Sequence, residues 1–118
     1  MIAKKVFLSL FVAALALAAT GCPERRRIGD ITNDPGRYSN KEVTVVGRVV
    51  RSYGGGPFGI YEIDDGTGRL WIATEKYGVP SKDTYVGVTG RIVPGLTWSG
   101  RNYGTGMQET KRRTRETR

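Results

Sequence analysis

The chain is 118 residues long and carries nineteen Lys and Arg against eleven Asp and Glu, a formal charge of +8, with no histidine and a single cysteine. That composition excludes a Ser/His/Asp triad and a Cys/His nucleophile, and the length suits one small domain with a modest core. The charge is unevenly placed: residues 28–108 hold nine basic and eight acidic side chains, so the excess sits at the two ends and a broad polyanion-binding face over the body is not expected.

The first element is a targeting segment. Lys4 and Lys5 precede an apolar stretch at residues 6–19, interrupted only by Ser9, and small residues then lead to Cys22, the layout of a secretory signal. Its fourteen residues fall short of the roughly 20 that cross a bilayer, so cleavage is expected rather than a permanent span. The run Ala19-Thr20-Gly21-Cys22 resembles the lipobox of bacterial lipoproteins, with Ala where Leu is commoner. The resemblance implies a signal peptide at residues 1–21, acylation of Cys22 (palmitate among the chains) and a lipid-anchored membrane protein of the bacterial cell envelope. Two or more acyl chains hold a protein stably where one does not. The alternative is a free or disulfide-forming thiol behind a simple signal peptide, for which the chain offers Cys22 no internal partner.

Residues 22–29 then read as the acylated cysteine and a tether, in which Arg25, Arg26 and Arg27 either add attraction to anionic headgroups or stay solvated. A helical turn is predicted at residues 30–35, capped by Asp30 and ended by Gly36, closing one end of a barrel. The longest strand is predicted at residues 42–52, where Val43, Val45, Gly47 and Val49 alternate with Thr44, Val46, Arg48 and Val50. Gly54-Gly55-Gly56-Pro57 breaks it. Residues 58–64 and 69–74 then form a hairpin about Asp65-Gly66-Thr67-Gly68, and further strands are predicted at residues 85–94 and from 103 to about 109. The basic run at residues 110–118 is expected to be a disordered tail, either solubilising or a binding arm.

Residues 43–50 and 86–93 share the pattern Val-x-Val-x-Gly-Arg-(Val/Ile)-Val. A glycine at the same point of two β-branched strands predicts sharp coiling, and five short strands with no long helix predict a small all-β barrel, closed or partly open. On Val43-x-Val45-x-Gly47-x-Val49, Tyr61-x-Ile63-x-Asp65-Gly66-Thr67-Gly68-x-Leu70-x-Ile72 and Val86-x-Val88-x-Gly90-x-Ile92, the chain resembles the OB-fold family over about residues 31–108. The resemblance implies a five-stranded OB-fold-like barrel at residues 30–109. The chain departs from many OB-folds at residues 75–84, which lack helical periodicity where those place a helix between strands three and four.

An OB-fold implies a ligand surface on strands two and three, flanked by the loops joining strands one to two and four to five. Those loops hold Tyr53 with Phe58 just beyond, and Trp98. If Tyr61, Ile63, Leu70 and Ile72 face inward, then Glu62, Asp64, Trp71 and Ala73 face outward, alongside Arg48 and Arg91. The candidate ligand-binding residues are therefore Tyr53, Phe58, Trp71, Trp98, Arg48 and Arg91. Trp71 and Trp98 are either stacking platforms or caps over a small barrel's core. Glu62 and Asp64 would repel phosphate. Asp64-Asp65-Gly66-Thr67-Gly68 lacks the alternating ligands and closing Glu of a calcium loop, and no Gly-Lys-Ser/Thr follows Gly54-Gly55-Gly56, so neither a metal nor a cofactor is expected.

The sequence thus reads as a lipid-anchored, non-enzymatic binding module whose partner is an envelope protein or small envelope molecule. The second reading is a single-stranded nucleic-acid binder. Cells fed a palmitate analogue are expected to label the wild-type chain and not Cys22→Ser, with the variant leaving the membrane fraction. Equal labelling of the two would defeat the anchor.

Overall fold

Alternation of Val, Ile and Thr with polar residues builds the long strands of a six-stranded sheet, and the computed structural model describes residues 23–115, the Arg115 side chain excepted. The expected signal peptide at residues 1–21, Cys22 and residues 116–118 lie outside the described residues. In chain order the elements are β1 (Glu24–Arg25), α1 (Ile28–Asn33), α2 (Pro35–Tyr38), β2 (Glu42–Gly55), β3 (Phe58–Asp64), β4 (Arg69–Thr74), β5 (Tyr85–Val93), β6 (Thr97–Trp98), β7 (Arg101–Asn102) and β8 (Gly106–Arg115). Strands run β2-β3-β4-β8-β5, and β5 pairs back onto β2, so the sheet closes on itself. Closure leaves no edge within the ring. All ring pairings are antiparallel except β4 with β8, and this is the five-stranded barrel of an OB-fold.

The interior is filled from every strand: Val43, Val45, Val49, Tyr61, Ile63, Leu70, Ile72, Val86, Val88, Ile92 and Met107 are all buried in one cluster. The paired glycines sit where strand walls crowd together. A Cβ on Gly90 would lie 2.3 Å from the Gln108 carbonyl oxygen, and one on Gly47 would lie 2.8 Å from that of Asp64. Close backbone approach at these points lets the long strands β2 and β5 coil around the barrel.

One barrel end is closed by the N-terminal helices, which bury Ile28, Ile31 and Tyr38. The helix starts at Ile28, two residues earlier than its predicted cap at Asp30, and Arg27 at the N-cap provides no side-chain bond. The cap comes instead from the β3–β4 turn. Asp65 Oδ2 accepts from the Ile28 amide at 2.9 Å, and the Thr67 hydroxyl accepts from the Gly29 amide at 2.9 Å, while Asp65 Oδ1 accepts from the Thr67 and Gly68 amides. Burial tends to raise the Asp65 pKa, but these donors outweigh it and hold the carboxyl below its ordinary 3.8.

The other end carries charge. Residues 75–84 form no helix, as the sequence indicated, and the opening is filled by Glu109, whose side chain is 1% exposed. Glu109 accepts from the Tyr61 hydroxyl and, at 2.6 Å, from that of Thr74. Arg112 lies 3.4 Å from the same carboxylate and donates to the carbonyls of Gly78 at 2.8 Å and Tyr77 at 3.0 Å. Burial and the neighbouring Glu109 push the Tyr61 phenol far above its ordinary 10.0, so it stays a protonated donor.

Two terminal segments differ from expectation. The basic run does not begin a disordered tail, because β8 continues through Arg115 and pairs with β5 as far as Tyr85. A bulge between Thr89 and Gly90 leaves one extra residue, Thr110, on β8, and this shifts the alternation so that Arg112 turns inward after Met107 and Glu109. The tether is not free either: Glu24 and Arg25 pair in parallel with Val43 and Thr44, and the Arg26 amide donates to the Thr44 carbonyl at 2.8 Å.

Arg112→Ala is expected to cost about 3–5 kcal/mol in urea unfolding, since it strands the Glu109 carboxylate in the barrel, with Arg112→Lys intermediate. Asp65→Ala is expected to cost about 1–2 kcal/mol at neutral pH by uncapping α1. Because the folded pKa of Asp65 is lowered, its ionic contribution is complete above 3.8 and lost as pH falls through the folded value, so acid titration of the two stabilities should narrow the gap below that point.

Candidate functional site

The outer wall of β2, β3 and β4 is organised in rows fixed by strand register. The first row is Arg48, Asp64 and Arg69; the second is Arg51, Glu62, Trp71 and Gly106; the third is Tyr53, Ile60, Ala73 and Gln108. Gly55 and Phe58 face each other at the tip. A bulge in β2 between Val49 and Arg51 puts both Arg48 and Arg51 on this outer wall, against strict alternation.

Aromatic rings occupy the second and third rows. Tyr53 stacks on Trp71 with centroids 6.2 Å apart and planes 24° apart, and Trp71 meets Tyr103 at 4.9 Å and 53°. Ile60, Ala73 and Leu96 are buried beneath a cover of Trp71, Val93, Trp98 and Tyr103, a second small cluster outside the barrel. The β6–β7 hairpin provides that cover, and Gly106 admits it: a Cβ there would lie 2.5 Å from Leu96 Cδ2. Phe58 and Tyr53 stay open at 58% and 51% exposure.

The two carboxylates on this wall are flanked by cations. Glu62 lies 3.8 Å from Arg51 and 3.9 Å from Arg69, and Asp64 lies 3.2 Å from Arg69. The three arginines of the wall keep roughly half of their side-chain surface exposed, at 51% for Arg48, 56% for Arg51 and 53% for Arg69. Glu62 Oε1 is buried with no hydrogen-bond partner among the described residues. A buried acceptor without a hydrogen bond costs about 1–3 kcal/mol, and the nearby charges of Arg51 and Arg69 are what offset it here.

The structure brings together three of the sequence-derived candidates, Tyr53, Phe58 and Trp71, and places Trp98 on the hairpin beside them. Trp71 stands outside the barrel, so it is no cap over the barrel's interior; it joins the outer cluster and offers one ring face to Tyr53. Arg48 belongs to the row farthest from the tip and pairs with Asp83 at 3.6 Å. Arg91 lies on β5 opposite Glu42, separated from β4 by the whole of β8, and is not part of the aromatic group. The residues that sequence reasoning missed are Arg51, Arg69, Leu96 and Tyr103. Arg69 was readable from Leu70 facing inward. Arg51 was hidden by the bulge, while Leu96 and Tyr103 reach the site only through the fold of a long loop.

Comparison with known proteins adds the architecture. No protein-family model and no curated protein matches the chain. Among solved structures it is similar to an OBody bound to hen egg-white lysozyme, at TM-score 0.50 and 17% identity over 66% of this chain and 84% of that one. It is also similar to a chain described as an aspartyl-tRNA synthetase from Leishmania major Friedlin, at 0.56 and 16% over 76% of this chain, and to asparaginyl-tRNA synthetase from Pyrococcus horikoshii, at 0.51 and 19% over 66%. This chain spans 20% of each synthetase, so the similarity is to one domain of those enzymes. At these identities the shared property is the OB-fold.

Proposed function

We propose that this chain is a non-enzymatic OB-fold binding module that holds a single-stranded oligonucleotide across the outer wall of β2, β3 and β4. The observation that carries the reading is the open aromatic edge of Tyr53 and Phe58 beside Trp71, set among Arg48, Arg51 and Arg69. Bases would stack on the exposed rings, and stacking contributes about 1–3 kcal/mol per base without demanding a sequence. The carboxylates that argued against phosphate are matched by Arg51 and Arg69. The Arg69–Asp64 pair, 53% and 30% exposed at its two side chains, is worth about 0–1 kcal/mol, so Arg69 can swing to a phosphate at little cost, whereas Glu62, 12% exposed, has to keep a cation or gain a ligand donor beside it. Glu62 Oε1, buried beside Arg51 and Arg69, would become open to an exocyclic amino group once an arginine turns to a phosphate, and would then accept from it in the pairing that carboxylates make with cytosine. Two of the similar structures, an aspartyl-tRNA and an asparaginyl-tRNA synthetase by name, support a nucleic-acid ligand for this architecture.

The second reading is an envelope protein partner, with the module anchored to the membrane through Cys22. The lipobox-like Ala19-Thr20-Gly21-Cys22 favours it, as does the OBody, which is bound to a protein.

Fluorescence anisotropy with labelled oligothymidylate and oligocytidylate at low salt separates the two. The full chain is expected to bind, Phe58→Ala to weaken binding about fivefold to a hundredfold without loss of stability, and oligocytidylate to bind more tightly. No binding at low salt, or equal binding by Phe58→Ala, would sink the nucleic-acid reading and leave the protein partner. Removing the basic run is not a valid control, because it would cut β8.

A further inference from the structure

The topology brings the chain's two basic ends onto one wall. β1 pairs with β2, β2 with β5 and β5 with β8, so Arg25 beside Thr44 is followed across the barrel by Gly87 and Thr89, and then by Arg113 and Lys111. Arg91 lies on the same wall opposite Glu42. Arg25, Arg91, Lys111 and Arg113 are exposed, and none of the four forms an ion pair among the described residues. The carboxylate of Glu24 is taken by Arg26; Glu42 lies opposite Arg91, and Asp64 and Asp65 line the adjoining groove beside Arg25, Val46 and Tyr85, with Asp64 paired to Arg69 and Asp65 bonded to backbone amides. Where Gly87 lacks a side chain, a groove of about 370 Å³ opens, lined by Arg25, Val46, Tyr85 and Arg113.

We propose that this wall docks on an anionic phospholipid surface. Four unpaired cations complement such a surface, and each one near it multiplies binding about fivefold. Tyr85, 45% exposed beside the half-buried Val46, supplies the amphipathic ring that suits a headgroup interface. The proposal rests in part on acylation of Cys22: one residue, Pro23, lies between that position and Glu24, which is paired into the wall, so the acylated residue would lie within about 7 Å of it at roughly 3.3 Å per residue. The barrel would then lie with β2 and β5 toward the lipid and with β3 and β4 on the far side. The rings of Tyr53 and Phe58 would face away from the membrane, while Arg48, opposite Tyr85 on β5, would lie at the border between the two walls.

The test is a partition experiment on the full chain purified in its mature form. Detergent-solubilised protein is diluted into an equal mixture of phosphatidylcholine vesicles and vesicles of equimolar phosphatidylcholine and phosphatidylglycerol, and its distribution is read once the detergent is removed. The anchor contributes equally to both populations and cancels, while intact mass reports the acyl chains on Cys22, so failure of the anchor and failure of this proposal are read separately. Wild type is expected to favour the anionic vesicles at least about tenfold, and Lys111→Glu/Arg113→Glu to lose that preference, as should Arg25→Glu if the double variant does not fold. Arg101→Glu, on the hairpin over the opposite wall, should keep it. An even distribution of wild type, or an undiminished preference in both charge-reversal variants, would overturn the proposal. So would oligothymidylate binding that those variants abolish while wild type shows no vesicle preference, since the wall would then be a polynucleotide site.

Discussion

Glu109 and Arg112 fill the end of the barrel that residues 75–84 leave without a helix, and the register of β8 follows from that placement. Glu109 sits among Tyr61, Thr74 and Arg112, so its oxygens are matched where a lone buried carboxylate would be untenable. The guanidinium then spends its remaining donors on the carbonyls of Tyr77 and Gly78, which ties down the loop as a covering helix would. Specific geometry replaces apolar bulk at this end. The bulge at Thr110 is what allows it, since unbroken alternation would aim Lys111 and Arg113 inward and leave Glu109 without its partner.

The same bulge decides what the outside of the barrel presents. Once Arg112 is inside, Lys111 and Arg113 face out beside Thr89 and Gly87, and the wall they join already carries Arg25 through β1. On the other side of the ring, β8 starts at Gly106 next to Trp71, and this brings the β6–β7 hairpin down over Ile60 and Ala73. One strand therefore closes the ring, plugs one end and separates a basic wall from an aromatic one. A register slip of one residue in β8 would exchange the inside and outside sets together.

The parts that sequence reasoning reached are the ones whose physics is local. The hairpin of β3 and β4 was visible because Asp65-Gly66-Thr67-Gly68 is turn chemistry between two alternating runs, and Tyr61, Ile63, Leu70 and Ile72 are indeed inward. Gly47 and Gly90 were visible because a glycine is out of place in a β-branched strand unless another backbone comes close, as it does at both positions. Residues 110–115 were misread because charge density is a compositional signal of disorder, whereas their pairing with β5 is fixed by a distant strand and a bulge. The tether was misread for a related reason: two residues of parallel pairing leave no periodicity to detect. At the site, outward placement of Trp71 was legible and its neighbours Tyr103 and Leu96 were not, because a long loop's path is set by packing rather than by pattern.

The hairpin cover also limits how the aromatic wall can work. Trp71 already has two ring neighbours, Tyr53 stacked at 6.2 Å and Tyr103 tilted at 4.9 Å, so much of its surface is taken up within the fold. Its strongest contribution is therefore to hold Tyr53 in a fixed plane, and Tyr53 and Phe58 remain as the surfaces on which a ligand ring can lie. Fixing a ring before binding reduces the ordering cost that a mobile side chain would carry, about 0.5–1.5 kcal/mol. The consequence is directional. A ligand running from the tip past Tyr53 meets Glu62 and its two arginines next, so aromatic contact comes first and charge second, in an order set by the register of β2 against β3.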